Sequence, residues 1–208
     1  MSVYFNRKEE LKEKANKHYK EMEELLKEET AECVKNTTVY GGNGESVNAA
    51  AKRKEDKDMT DEMADTVEAI EKPEIFVDKL DSVKSMLQHR HGKTAILNFA
   101  SYKNPGGKFM EGSSAQEECM SNLYNVLRRF PDYYEWNKKH NNRALYTNRA
   151  LYSEDVIFFD DSVCVYGADP EQVRADVITC AAPNYSAAGK YANVELDENN
   201  AELFRRIK

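Results

Sequence analysis

Long apolar runs, paired cysteines and clustered histidines are all missing from this 208-residue chain. The longest apolar stretches are strand-sized, well short of the roughly 20 residues a spanning helix needs, so no membrane association is expected. Met1 to Lys14 is charged throughout and has no apolar centre, which leaves no signal peptide to recognise. The four cysteines, Cys33, Cys119, Cys164 and Cys180, never form a CxxC pair, and the four histidines are scattered. That spacing speaks against zinc; no metal or other cofactor is expected, and reduced thiols in a cytoplasmic protein are the plain reading. Positive charge is also short, with 30 Lys+Arg against 37 Asp+Glu, a net charge of -7. Direct nucleic-acid binding by phosphate neutralisation is therefore not expected. An anionic ligand stays open, because backbone amides hold phosphate without net positive charge.

What is present is enough apolar residue, 40%, for one domain with a core and appendages. Residues 1–72 read as an accessory region, a helix followed by a charged loop. Over residues 7–35 the apolar residues Leu11, Ala15, Tyr19, Met22 and Leu26 step by three or four, which predicts an amphipathic helix with Asn6 as its N-cap. Tyr40-Gly41-Gly42-Asn43-Gly44 reads as a turn, and no Gly-Lys-Ser/Thr follows to make it a phosphate loop. Residues 45–72 are dense in charges of both signs, a solvated loop or helix face.

From residue 73 to 208 the pattern becomes α/β, with strands alternating with helices. Expected strands are Ile75–Val77, Thr94–Ala100 (buried, being continuously apolar), Ala150–Tyr152, Val156–Phe159, Val163–Tyr166 and Asp176–Ala181. Helices are expected at Ser82–Arg90, at Ala115–Phe130 up to Pro131, and from Leu196 onward.

The informative block runs from Asn98 to Lys108 and on to Gln116-Glu117-Glu118, a strand, a glycine turn, a loop and a helix start. Ligands of open α/β sheets sit beyond the carboxyl ends of strands, where this turn falls. Asn104-Pro105-Gly106-Gly107 suits a type II turn, with Pro105 second and Gly106 at the positive-φ third position. Bare glycines also let a ligand approach the main chain. Two adjacent acids near a helix start lie in a favourable dipole. A general acid needs the opposite influence, burial or a neighbouring negative charge that raises its pKa.

This spacing resembles the signature of poly(ADP-ribose) glycohydrolases, a triple glycine followed shortly by Gln-Glu-Glu. Glu29-Thr30, Leu97 to Gly107, Arg143-Ala144-Leu145-Tyr146-Thr147, Leu151-Tyr152-Ser153 and Val177 to Asn184 also look like the microbial branch of that family. The resemblance implies a macrodomain-like mixed sheet flanked by helices, with an N-terminal helical extension. It implies hydrolysis of the ribose–ribose O-glycosidic bond of poly(ADP-ribose), with ADP-ribose or its polymer as partner. Glu118 would be the acid/base, Glu117 would orient ribose hydroxyls and Gln116 would support the loop. Gly106 and Gly107 would meet the diphosphate and distal ribose, with Asn104 in the same turn and Asn98 and Ser101 at the ribose. A single acid/base suits adjacent carboxylates better than the two-sided arrangement of most glycosidases.

Two departures qualify that picture. Lys108 replaces the third glycine, and would strain the loop if positive φ were required there; otherwise its ammonium could meet a diphosphate. The chain also ends at Lys208, before the last strand and second glycine loop that the resemblance leads one to expect. An ADP-ribose-binding module without hydrolysis, or an inactive incomplete domain, is the alternative. Tyr133, Tyr134 and Trp136 read as core in preference to an adenine stack, and His89 and His91 as helix-end cations in preference to ligands.

Overall fold

The computed structural model describes residues 3–40, 46–47, 74–160 and 170–207. Two helices open the chain, α1 (Val3–Leu25) and α2 (Lys27–Asn36). They replace the single expected helix: Leu26, at φ -112 and ψ 32, breaks the run. Asn6 lies inside α1 and is not its cap, because the helix continues upstream to Val3. The Leu26 side chain is buried at the break, as are Ala15 in α1 and Cys33 in α2. At the end of α2 the Thr37 hydroxyl bonds to Cys33 O at 2.8 Å and to Ser153 Oγ at 3.1 Å, fastening the helix to the sheet.

Among the described residues five strands form one sheet in the order β2-β1-β4-β5-β3. They are β1 (Thr38–Tyr40), β2 (Ser46–Val47), β3 (Ala95–Phe99), β4 (Ala150–Asp160) and β5 (Glu171–Cys180). The pair β3–β5 is parallel and the others antiparallel, so the sheet is mixed and flanked by helices, as the sequence suggests. Strand β1 pairs with β4, which brings residues before position 73 into the same sheet. The expected strands at 150–152 and 156–159 are one strand, joined through an irregularity between Ser153 and Val156. Asp155 takes φ 55 there, and its N–H donates to Asp176 Oδ1 at 3.1 Å, so β5 holds the bulge in place.

Helix α3 (Ser82–His89) begins where Asp81 accepts from the Lys84 N–H. The expected helix over 115–130 is two, α4 (Gln116–Cys119) and α5 (Ser121–Leu127), parted by Met120 at φ -91 and ψ 49. Pro131 starts α6 (Pro131–Lys139) in the first helical turn, where its missing N–H does no harm. Met120, Leu123 and Leu127 are fully buried, as are Leu151, Val156 and Val177 of the sheet, and all six share one apolar core. Helices α7 (Tyr185–Tyr191) and α8 (Leu196–Ile207) complete the described chain. Arg206 of α8 donates to the carbonyls of Leu145, Tyr146, Thr147 and Ala181, which docks the helix on two loops.

Two strand expectations need correction. Ile75–Val77 is not a strand: it lies in a loop with Val77 93% exposed, and no strand of the sheet pairs with it. Strand β3 is not buried on both faces. Its exposure alternates, with Ile96 and Asn98 inside and Leu97 and Phe99 outside, because among the described residues only one face of β3 meets the core. The Gly41–Gly44 part of the expected turn, the charged segment at 48–72 and the expected strand at 163–166 lie outside the described residues. Among the described residues no helix is long and apolar enough to cross a membrane.

Helix α1 reaches the segment after the glycine turn through Gly112. At φ +78, a Cβ on Gly112 would lie 2.4 Å from Lys8 O and 3.0 Å from Lys12 N, both backbone atoms. A Gly112→Ala substitution is expected to lower stability by about 1–3 kcal/mol and to loosen α1 first, through strain plus a clash that no rotamer relieves. Urea denaturation and limited proteolysis between α1 and α2 would read both effects.

Candidate functional site

The β3 strand ends against the motif picked out from sequence. Gly107 N–H donates to Asn104 O at 3.1 Å, with Gly106 at φ 63 and Gly107 at φ 59, so the turn that the Asn-Pro-Gly-Gly string predicts is formed. The Ser101 hydroxyl accepts from the Asn104 N–H at 3.3 Å and braces its entry. Both glycines are needed for space as well as for φ. A Cβ on Gly106 would stand 2.6 Å from the Tyr124 ring. On Gly107 it would stand 2.5 Å from Glu118 Oε1 and 2.8 Å from Glu117 Oε2. The bare backbone of Gly107 therefore sits directly on both carboxylates. Lys108 has φ -115, so the third position of the motif requires no glycine and the lysine is not strained.

The two acids differ sharply. Glu117 is 6% exposed; its Oε2 accepts from the Ser101 N–H at 2.7 Å and its Oε1 from Asn98 Nδ2 at 3.4 Å. Burial pushes its carboxyl up to about 7, with the charge of Glu118 acting in the same direction and the donors Ser101, Asn98 and Gly106 acting against it. Glu118 is half-buried. Its Oε1 accepts from the Lys108 N–H at 2.8 Å and its Oε2 from the Ala115 N–H at 3.0 Å, the side-chain-to-backbone half of a capping box at the start of α4. The burial that a general acid needs therefore falls on the first glutamate of the pair.

Gln116 does a different job. Its Nε2 donates to Leu97 O at 2.7 Å and to Ser82 Oγ at 3.2 Å, and its Oε1 accepts from the Phe99 N–H at 2.9 Å. Those contacts imitate a neighbouring strand along the edge of β3 that no described strand pairs, satisfying groups that an edge otherwise leaves unpaired. Asn98 is fully buried, and its Nδ2 also lies 3.3 Å from Thr179 Oγ1. Its Oδ1 and the Tyr134 hydroxyl are buried without a hydrogen-bond partner among the described residues. A protonated Glu117 would supply a donor for that Oδ1 if the Asn98 amide turned over. The expected site residues Asn98, Ser101, Asn104, Gly106, Gly107, Gln116, Glu117 and Glu118 thus converge on the end of β3, with Lys108 exposed beside them.

Residues that sequence reasoning did not mark also shape the site. Tyr124 backs the turn at Gly106, and Thr179 of β5 holds Asn98. Tyr133 and Tyr134 are core, as expected. Trp136 is stacked on His140 at 3.9 Å with Arg149 4.1 Å over it, so its ring is engaged within the chain. His89 meets Asp78 at 3.3 Å. Among the described residues no cluster of His, Cys, Asp and Glu could hold a metal ion.

A carboxyl that folding raises from an ordinary value to about 7 favours the protonated fold. The stability it contributes is present in acid and is lost as pH rises through about 7. Glu117→Gln, neutral and nearly isosteric, is expected to gain on the wild type by up to about 3 kcal/mol between pH 5 and pH 8. Urea midpoints of the two proteins across that range would measure it; a difference independent of pH would mean that Glu117 is not desolvated.

Comparison with known proteins identifies the family. Residues 8–161 match the family described as microbial-type PARG, catalytic domain. The solved poly(ADP-ribose) glycohydrolase of Thermomonospora curvata, bound to the inhibitor ADP-HPD, is 26% identical over 86% of this chain, with a TM-score of 0.61. The match spans 60% of that protein's own length. The Deinococcus radiodurans poly(ADP-ribose) glycohydrolase in complex with ADP-ribose is 34% identical over 60% of this chain and 50% of its own, with a TM-score of 0.48. No curated protein matches the chain. With a family match running from α1 to the end of β4, across the glycine turn and the Gln-Glu-Glu motif, the chain belongs to the microbial-type poly(ADP-ribose) glycohydrolase family.

Proposed function

We propose that this chain hydrolyses the ribose–ribose O-glycosidic bond of poly(ADP-ribose), releasing ADP-ribose, with Glu118 as acid/base. The observation that carries the reading is the bare Gly107 backbone against the Glu117 and Glu118 carboxylates at the carboxyl end of β3. Gly106 and Gly107 carry no side chain of their own, so a sugar that reaches the acids meets bare backbone beside them. Family membership supports the reaction class, and the Thermomonospora curvata relative binds the inhibitor ADP-HPD.

In this reading Glu118 gives a proton to the departing ribose oxygen as the C–O bond breaks. It then takes a proton from the water whose oxygen bonds to the anomeric carbon, so both fragments leave as alcohols. Its two oxygens already accept backbone N–H groups, but a carboxylate offers about four acceptor positions, which leaves room for a sugar hydroxyl. Glu117 orients ribose hydroxyls and, when ionised, favours the positive charge developing on the sugar. Asn98, Ser101, Asn104, Gly106 and Gly107 form the ribose and diphosphate side, with Gln116 holding the β3 edge on which they depend. Lys108, exposed and unstrained, is free to meet a phosphate. The free cysteines Cys33, Cys119 and Cys180 suit a reducing, cytoplasmic setting.

One observation favours a second assignment within the same reaction. The proton held near neutrality is on Glu117, which would make Glu117 the acid and Glu118 the group that orients the ribose. Kinetics separate the two. On the leading assignment, Glu118→Gln lowers ADP-ribose release by about 10²–10⁴-fold, while calorimetry still detects ADP-ribose binding. If Glu117→Gln alone gave that loss and Glu118→Gln kept most of the turnover, the roles would be reversed. A wild type that binds ADP-ribose but releases none from polymer would be a recognition module.

A further inference from the structure

The seam between α1 and residues 108–119 offers a surface that this reaction does not use. Two clefts lie along it, and they share Leu11, Ser113 and Ser114. One, of about 310 Å³, is lined by Glu118 together with His18 and Phe109. The other, of about 320 Å³, is lined by Arg7, Lys8 and Lys108, with Glu111 as its acid. The two clefts adjoin at their shared residues and make a groove along α1, with Glu118 and Lys14 lining one end and Arg7, Lys8 and Lys108 the other.

The far end gathers three cations in one place. The chain carries a net charge of -7, and its helices tie many cations into ion pairs, such as Lys12 with Glu9 and Lys17 with Glu21 on α1 itself. Among the described residues Arg7, Lys8 and Lys108 enter no ion pair. All three are exposed, and the hydroxyl residues Ser113 and Ser114 stand beside them. Cations near hydroxyls around an open groove suit a phosphorylated, extended ligand better than a neutral one. The approach of Gly112 to the backbone of Lys8 and Lys12 fixes α1 against this wall.

Of the residues proposed to hold the terminal ADP-ribose, Asn98, Ser101, Asn104 and Gly106 line neither cleft, whereas Glu118 lines the nearer one. Glu118 thus stands between two sets of groups. We propose that the groove along α1 receives the part of the polymer beyond the scissile bond, with Arg7, Lys8 and Lys108 meeting the diphosphate of the adjoining ADP-ribose unit. This rests on the hydrolase reading, and it adds a role for the N-terminal helix in holding polymer in preference to monomer.

The test uses the full chain carrying Glu118→Gln, so that polymer is bound without being cut, with and without Arg7→Gln/Lys8→Gln. Affinities for poly(ADP-ribose) and for monomeric ADP-ribose are measured at about 50 mM and about 300 mM NaCl, conditions that span weak and strong screening. Loss of two exposed cations is expected to weaken polymer binding about five- to twentyfold at low salt. The difference should shrink at high salt, and monomer affinity should not change. Glu111→Gln should act in the opposite direction and tighten polymer at low salt.

Unchanged polymer affinity in the double variant, with the parent still binding polymer, would overturn the groove and leave the hydrolase reading standing. An equal loss for monomer would move the cations to the terminal-unit side and overturn the assignment just as firmly. A parent that binds neither ligand, together with a wild type that releases no ADP-ribose, would instead remove the reading on which the groove rests.

Discussion

The carboxylate of Glu117 lies where the end of β3, the glycine turn and the start of α4 meet, and those three pieces are positioned by what it accepts. Ser101 N–H and the Asn98 amide, both at the end of β3, donate to it, and the Gly106 backbone donates from the turn. Burying a carboxylate is costly, so such a group persists only when donors surround it or when it takes up a proton. Here it does both in part, since burial outweighs the donors and leaves the group titrating near neutrality.

That constraint passes outward. Because two carboxylates occupy the space beside residue 107, the residue there cannot carry a Cβ. Because Gly107 turns the chain at positive φ, the Lys108 N–H comes round to Glu118. Glu118 in turn reaches back to Ala115 and starts α4, while Gln116 closes the edge of β3. The four-residue helix α4 is therefore less a helix with a site at its end than a clamp, with each of its first three side chains tied to a different backbone segment. The same wiring explains why the third glycine of the signature can be a lysine: at φ -115 that residue lies past the part of the turn that needs glycine.

Much of this was legible in the sequence, because it depended on local chemistry. Asn-Pro-Gly-Gly dictates its turn, and the helical spacing of Leu11, Ala15 and Tyr19 makes a helix whatever lies against it. The failures arose where tertiary contacts decide. Leu26 and Met120 break helices that periodicity would continue, each by burying its side chain at the break. The bulge at Asp155 depends on Asp176, a partner 21 positions away, and so two expected strands became one. Leu97 and Phe99 looked like core because they are apolar, but among the described residues only one face of β3 is covered and only alternate residues face inward. The hardest point to read was the difference between Glu117 and Glu118. Adjacent residues of one type look equivalent in a sequence, and only the direction in which each side chain leaves the turn makes one buried and the other accessible. The α1 groove was hidden for a related reason, since Arg7 and Lys8 come near Lys108 only once Gly112 lets the helix settle on the loop.

A crystal structure of the chain carrying Glu118→Gln with bound ADP-ribose tests the central claim most directly. The distal ribose is expected over the bare backbone of Gly106 and Gly107, with a ribose hydroxyl within hydrogen-bonding distance of residue 118 and another facing Glu117. An ADP-ribose bound elsewhere, with Gly107 and both acid positions untouched, would contradict it.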